Sequence, residues 1–575
     1  MKWYLSFIGV FCFQLAFSQL TVKNATFIYS DSEVIFVGDD LNLIDSESKL
    51  YLRNDAQLVQ GSGTSGNTGI GELSVQQNGT VNQYAYNFWC SPIGNVDIND
   101  NNNRAFRANL FDESTGVISS IDAQFTSGND GVSNPLTISS RWIYTFEFGT
   151  DVMEWSFAGA SGDISSGLGF TMKGTAGSNE NQLYEFRGKP NNGTITNSVL
   201  DGEFTLVGNP YPSALDAFDF IHDPDNVSSI TGDLHYWEQA PNASSHNLAD
   251  YLGGYATYTI SNPGKIESFV PATFTSFLAD GTATNFIAGT GERVARRYIP
   301  IGQGFMVEGI ADGVVTVKNS HREFYKESDS DSFFFRSASS SDTANNLPED
   351  FKRFRINVDF DQVYTRQLLM NLHNTATDGF DYGLEGKSPG VLNSDAYWTQ
   401  DDVPFVIQAF DYDDSLSIPL IVKVDNQQII TFNIGDIQNF DDSQSIYIHD
   451  IETSNYIDLR TQDYSVNLSS GTYSDRFEIV FLTPETLSVE IPLPNETLSI
   501  SQFNNRSQTV INNPQLLDIT AVRIVDINGR IVNEITEPLN DSEITITTSA
   551  FTSGVYIIHV RTRDREFSKK VIISN

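Results

Sequence analysis

AVRIVDINGRIVNEI, residues 521–535, places apolar side chains at alternate positions on either side of an Asn-Gly pair. Val522 and Ile524 fall on one face of a strand and Val525 and Ile527 on the other. Asn528-Gly529 offers the two positive-φ residues of a tight hairpin turn, and Arg530 to Ile535 is the returning partner. Working outward, EITIT (543–547) reads as a further strand, and a polar turn ends at Gly554. Val555 to Arg561 and Phe567 to Ile573 then form a closing hairpin around Thr562 to Glu566. Strands this close together within about 75 residues make a small β-sandwich. The same signature recurs upstream, in short alternating runs bounded by Gly, Asn, Asp and Ser, such as RWIYTFEF (141–148). The expected fold is mainly β: several antiparallel β-sandwich domains with a small Ig-like one at the C-terminus. Helical periodicity is confined to Ser213–His222, where Ser213 follows Pro212 and is the expected cap.

The chain has 575 residues, 34 of them Lys or Arg and 73 Asp or Glu, for a formal net charge of −39. Such a field opposes nucleic acid and anionic lipid, which need clustered cations. MKWYLSFIGVFCFQLAFSQL opens with one basic residue and an apolar run, then Ala16-Phe17-Ser18. This is the pattern of a secretory signal peptide over residues 1–18, cut between Ser18 and Gln19. Its removal leaves Cys90 as the one cysteine, so no internal disulfide is expected. No later run is apolar enough to span a membrane as a helix. Composition shifts at 327–346, rich in Ser and Asp, and at 484–499, rich in Pro, suggest linkers. They would separate a β-rich region over 19–326 (one or two sandwiches), a second sandwich over 347–483 and the terminal unit over 500–575.

DINGRIV (526–532), SGVYIIHV (553–560) and KKVII (569–573), in this order at the end of an exported chain, resemble the C-terminal sorting domain, type A-like, of type IX secretion substrates in Bacteroidota. The resemblance implies passage through the periplasm, recognition by the outer-membrane type IX machinery, and a surface-bound or released product, with attachment to surface lipopolysaccharide as one outcome. It maps the motif onto Asp526, Asn528, Gly529, Gly554, Val555, Tyr556, Lys569 and Lys570. Upstream segments such as YNFWCSPIG (86–94) and LVGNPYPSALDAFDFI (206–221) resemble elements of large Bacteroidota surface or secreted proteins, which implies a setting and no reaction.

The motifs of catalysis are missing. The histidines at 222, 235, 246, 321, 373, 449 and 559 are dispersed, no HExxH or paired-cysteine motif occurs, and there is no G-x-S-x-G elbow. No catalytic residue, metal ligand or cofactor is therefore assigned. Weak calcium binding is the one cofactor considered, at the oxygen-rich loops Asp97–Asn103 and Asp378–Asp381. Among the tryptophans, His235-Tyr236-Trp237-Glu238 is the segment singled out as a sugar-stacking platform. Two readings stay open for the cargo: a non-enzymatic adhesion or glycan- and matrix-binding protein, and a secreted polysaccharide- or protein-degrading hydrolase with unidentified carboxylates. A structural component of an extracellular assembly is a third.

Overall fold

The computed structural model describes residues 19–574 except 64–65, 97–101, 151–153, 180, 242, 278–282, 328–331, 333–346, 484–497, 537–538 and 564. The expected signal segment up to Ser18, most of both expected linkers and most of the Asp97–Asn103 loop lie outside the described residues. The chain divides into two compact units, the first ending at Leu482 and the second covering Thr483–Asn575.

The larger unit begins with strands that pair in parallel. β1 (Leu20–Val22) pairs with β4 (Leu41–Leu43), β2 (Phe27–Asp31) with β5 (Lys49–Arg53), and β3 (Val34–Val37) with β6 (Gln57–Gln60). β5 pairs onward with β7 (Glu72–Thr80), again in parallel. Leu20 faces Leu41, Phe27 faces Lys49 and Val34 faces Gln57, so the chain advances by about 22 residues per turn of a three-sided coil. Val22, Leu41, Leu43, Leu50, Leu52 and Leu58 point inward and join one core with Trp89, Phe111 and Phe186. Alternation is the same in parallel and antiparallel strands, and for that reason the sequence expectation of antiparallel pairing does not extend to this stretch.

The remaining sheets of this unit are largely antiparallel. β8 (Tyr86–Cys90) pairs with β9 (Gly169–Lys173), and β7 pairs with β10 (Asn181–Pro190). A second core is built over β11 (Phe204–Gly208), β12 (Leu234–Gln239), β13 (Gly253–Ile260), β14 (Thr273–Phe277) and β15 (Gly304–Glu308), which share one sheet. The expected helix is shorter than 213–222. Residues Ala214–Asp216 are held as a strand against Tyr298 and Ile299, so α1 spans only Ala217–Ile221. Its cap is Asp216, whose carboxylate accepts from Phe218 N at 2.9 Å, and not Ser213. Residues 352–480 form one large sheet around a third core that contains Phe354, Leu368, Trp398, Phe432, Phe477 and Ile479. Buried hydrogen bonds from Arg353 and Asn371 to Ser268 Oγ, and a half-buried one from Lys387 N to Asp233, tie that sheet to the preceding one.

The smaller unit is a two-sheet sandwich. Strands Ser499–Phe503, Gln508–Asn512 and Glu543–Thr547 form one sheet. The other runs in the order β17, β16, β18, β19, where β16 is Ile519–Asp526, β17 is Ile531–Ile535, β18 is Gly554–Thr562 and β19 is Glu566–Ile573. Ile500, Ile511, Val522, Ile524, Ile544, Tyr556, Ile558 and Ile573 close the core between them. The 526–530 turn differs from expectation in one respect. Of its residues only Gly529 has positive φ, at 77°, and Asn528 does not. The pairing slips between Ile524 and Val525, the Gly529 amide donates to Asp526 O, and the Asp526 carboxylate accepts from Asn528 N and Arg530 N. One extra residue is thus absorbed as a glycine bulge in place of a two-residue turn. These bonds, that from Arg530 N foremost, hold the Asp526 carboxyl below its ordinary range.

Candidate ligand pocket and the sorting-motif residues

A cavity of about 710 Å³ opens in the larger unit where the sheets of β8, β12 and the 352–480 region approach one another. Its volume suits a ligand of a few hundred daltons. Its walls are aromatic: Tyr86, Phe88, Trp142, Tyr144, Phe146, Trp155, Trp237, Tyr251 and Tyr255 all line it. Alternation along β12 explains the placement. Tyr236 faces the second core against Phe305, so His235 and Trp237 face the cavity. Trp237 lies parallel to Phe88 at 6.1 Å between centroids and edge-on to Tyr255 at 5.1 Å. Gly253 makes room for it, since a methyl there would sit 2.4 Å from Trp237 Cζ2. The RWIYTFEF stretch adds Trp142, Tyr144 and Phe146 to the lining. Only Tyr144–Thr145 is strand, because Trp142 is pinned outside the ladder by its Nε1 bond to Asn129 O (2.7 Å) and by Thr171 Oγ1 donating to its carbonyl.

Polar groups reach the cavity at few points. Arg366 is held by Asp395 through Nε (2.6 Å) and Nη2 (3.0 Å). Trp237 Nε1 and Thr273 Oγ1, both buried and both on lining residues, make no hydrogen bond among the described residues. A buried donor or hydroxyl without a partner costs about 1–3 kcal/mol, and neither atom is itself open to the cavity. Among the described residues that line the cavity there is no Asp or Glu.

Behind Tyr86, Trp142 and Tyr251 lies Lys173, opposite Tyr86 on β9. Its ammonium sits 3.9 Å from the Trp142 ring centroid, 4.5 Å from Tyr251 and 4.7 Å from Tyr86. It also bonds Tyr251 OH and, at 3.1 Å, His246 Nδ1. His246 Nε2 donates to Asp130 Oδ1 at 2.7 Å, which leaves Nδ1 as the acceptor for the lysine. Burial pushes Lys173 down to about 7, against a smaller opposing pull from Asp130. The unfolded chain holds this proton up to an ordinary lysine value, so above pH 7 it binds more protons than the folded chain, and stability rises with pH through that window. Urea titrations at pH 7 and 8 should show the parent gaining about 1 kcal/mol relative to Lys173→Met over that step.

The other candidates are dispersed. The histidines pair with seven different groups: His222 with Ile260 O, His235 with Thr257, His246 with Asp130, His321 with Asp223, His373 with Thr375, His449 with Glu478 and His559 with Ser568. Among the described residues no group of three or more His, Cys, Asp or Glu side chains is arranged to hold a metal. Cys90 is buried, and burial raises its thiol well above the ordinary range. Asp381 accepts from Thr377 N (2.6 Å) and Oγ1 (3.2 Å), with Asp378 in the same turn. Sequence reading flagged Trp237 but not Lys173, Tyr86, Tyr251 or Arg366 as its neighbours. The one available signal was a lysine closing the apolar run GFTMK, all of whose residues are buried.

In the smaller unit Tyr556 is buried, and its OH donates to Thr552 O at 2.7 Å. Gly554 faces Ile573, Val555 faces Ile572, Lys569 faces Ile558 and Lys570 faces Ile557. Lys569 and Lys570 are exposed and form no ion pair among the described residues. Gln19, exposed, directly precedes β1, and Ser18 lies outside the described residues.

Residues 12–481 match a family described as a domain of unknown function (DUF8693), and residues 484–574 match the secretion system C-terminal sorting domain. No curated protein matches the chain. A solved structure described as "Biofilm associated protein - BSP domain" aligns over 67% of this chain and 96% of that one at 8% identity. Its TM-score of 0.12 is too low to support an argument. The terminal match makes the chain a type IX secretion substrate, secreted or held at the cell surface.

Proposed function

The chain belongs to the DUF8693 family, and from that premise we propose that its larger unit is a non-enzymatic glycan-binding module delivered outside the cell by the type IX sorting unit. The observation that carries the reading is the aromatic cavity around Trp237. Flat rings suit the apolar faces of sugars, and Arg366, one of the lining residues, carries hydrogen-bond donors. The described lining lacks the pair of carboxyl groups that glycoside cleavage uses, which favours binding over hydrolysis. Surface lipopolysaccharide as the anchor, and adhesion to a glycan-coated matrix as the outcome, fit a protein of this address. The test is a glycan and matrix-protein screen of the mature chain, followed by titration of any hit by intrinsic tryptophan fluorescence. Saturable binding with quenching supports the proposal. Failure to bind any glycan, together with turnover of a polymer, overturns it.

A further inference from the structure

The outward face of the four-stranded sheet in the sorting unit divides into two zones. Cross-strand register lines up Ile531, Val525, Ile557 and Lys570 in one row over all four strands. Val555 and Ile572 lie side by side two positions along. Ile531 is 50% exposed and Ile572 63%, although their sheet already buries Val522, Ile524, Ile558 and Val571 on its other face. The next row, Glu534, Arg523, His559 and Ser568, is polar, as a solvated face should be, and Arg523 and Glu534 pair within it. The apolar zone is therefore confined to one end of the face, with the ammonium of Lys570, which forms no ion pair among the described residues, at its margin. Exposed apolar surface of this kind marks an interaction site.

We propose that this zone, centred on Val525 and Ile557 with Lys570 at its margin, is the surface by which the secretion machinery grips the sorting unit, using a patch that is apolar at its centre and carboxylate-bearing opposite Lys570. The occupant follows from the unit's match to a sorting domain and from the exposed positive charge at the edge of an apolar zone. The inference rests on the export role and is independent of the glycan reading.

The test uses the full chain in secreting cells, with cell-surface and medium fractions measured against the periplasm. Ile531→Glu/Ile572→Glu and Lys570→Glu should each lower export about tenfold or more, whereas Lys570→Arg, which keeps the charge, and Arg561→Glu, at the polar end of the same face, should export as the parent does. The purified Ile531→Glu/Ile572→Glu, Lys570→Glu and Arg561→Glu variants should melt as the parent does, since the altered side chains are solvent-facing. If the double glutamate variant melts lower, Ile531→Ser/Ile572→Ser replaces it. Parent-like export of the apolar and Lys570 variants overturns the proposal, as does equal loss in Arg561→Glu. A parent dimer in sedimentation that Ile572→Glu dissolves without changing export also overturns it, because the zone would then serve a second copy.

Discussion

Truncation after Leu482 is expected to abolish delivery to the surface and the medium and to leave a folded chain in the periplasm. The physical basis is that each unit closes its own core. Leu498, Ile500, Ile511, Val522, Tyr556, Ile558 and Ile573 pack with one another in the terminal sandwich, and none of them belongs to the three large cores upstream. Removing residues 483–575 takes away the address and leaves those three cores intact. Fractionation, with thermal melting of the truncated protein, checks both halves of the expectation. Truncated protein found outside the cell would show that another segment directs export.

Trp237→Ala is expected to weaken glycan binding by roughly thirty-fold or more, the loss of about 2 kcal/mol usual for a large aromatic anchor in a pocket. The ring is braced by Phe88 and Tyr255 and seated over Gly253, so it is held in position before a ligand arrives. Its removal takes away the stacking face. Because Trp237 lies at a cavity wall, the cost to folding should be far below that of Trp89→Ala. Trp89 is fully buried against Phe111, Tyr184 and Phe186, and its truncation should cost about 3–5 kcal/mol. Calorimetric titration of Trp237→Ala and urea midpoints of both variants separate the two effects. Gly253→Ala should reproduce part of the binding loss by displacing the ring.

Local patterns were legible wherever local residues decided the structure. The strands on either side of Asn528-Gly529 and the closing hairpin follow from alternation and turn chemistry, because each pairs with a near neighbour in the chain, and the strand over 543–547 follows from alternation although its partner is Gln508–Asn512. Errors arose where a distant partner took over. Asp216 caps α1 because Tyr298 and Ile299 claim the residues before it, whereas the 526–530 bulge is a local one-residue slip that alternation does not specify. In His235-Tyr236-Trp237-Glu238 the platform residue was legible. Alternation nonetheless turns Tyr236 toward the core, and Glu238 turns with it to accept the amides of Glu292 and Arg293.

By itself, then, the sequence determined the β class, the terminal sandwich and the export address, which depend on short-range pairing and on a motif order that survives in one dimension. Only the tertiary structure decided that residues 20–75 wind in parallel, since a period of two carries no strand direction. It alone also made the cavity. Tyr86, Trp142, Lys173, Trp237, His246 and Arg366 lie far apart in the chain, and long-range packing of three sheets is what brings an aromatic box, a caged ammonium and an ion-paired guanidinium to one place.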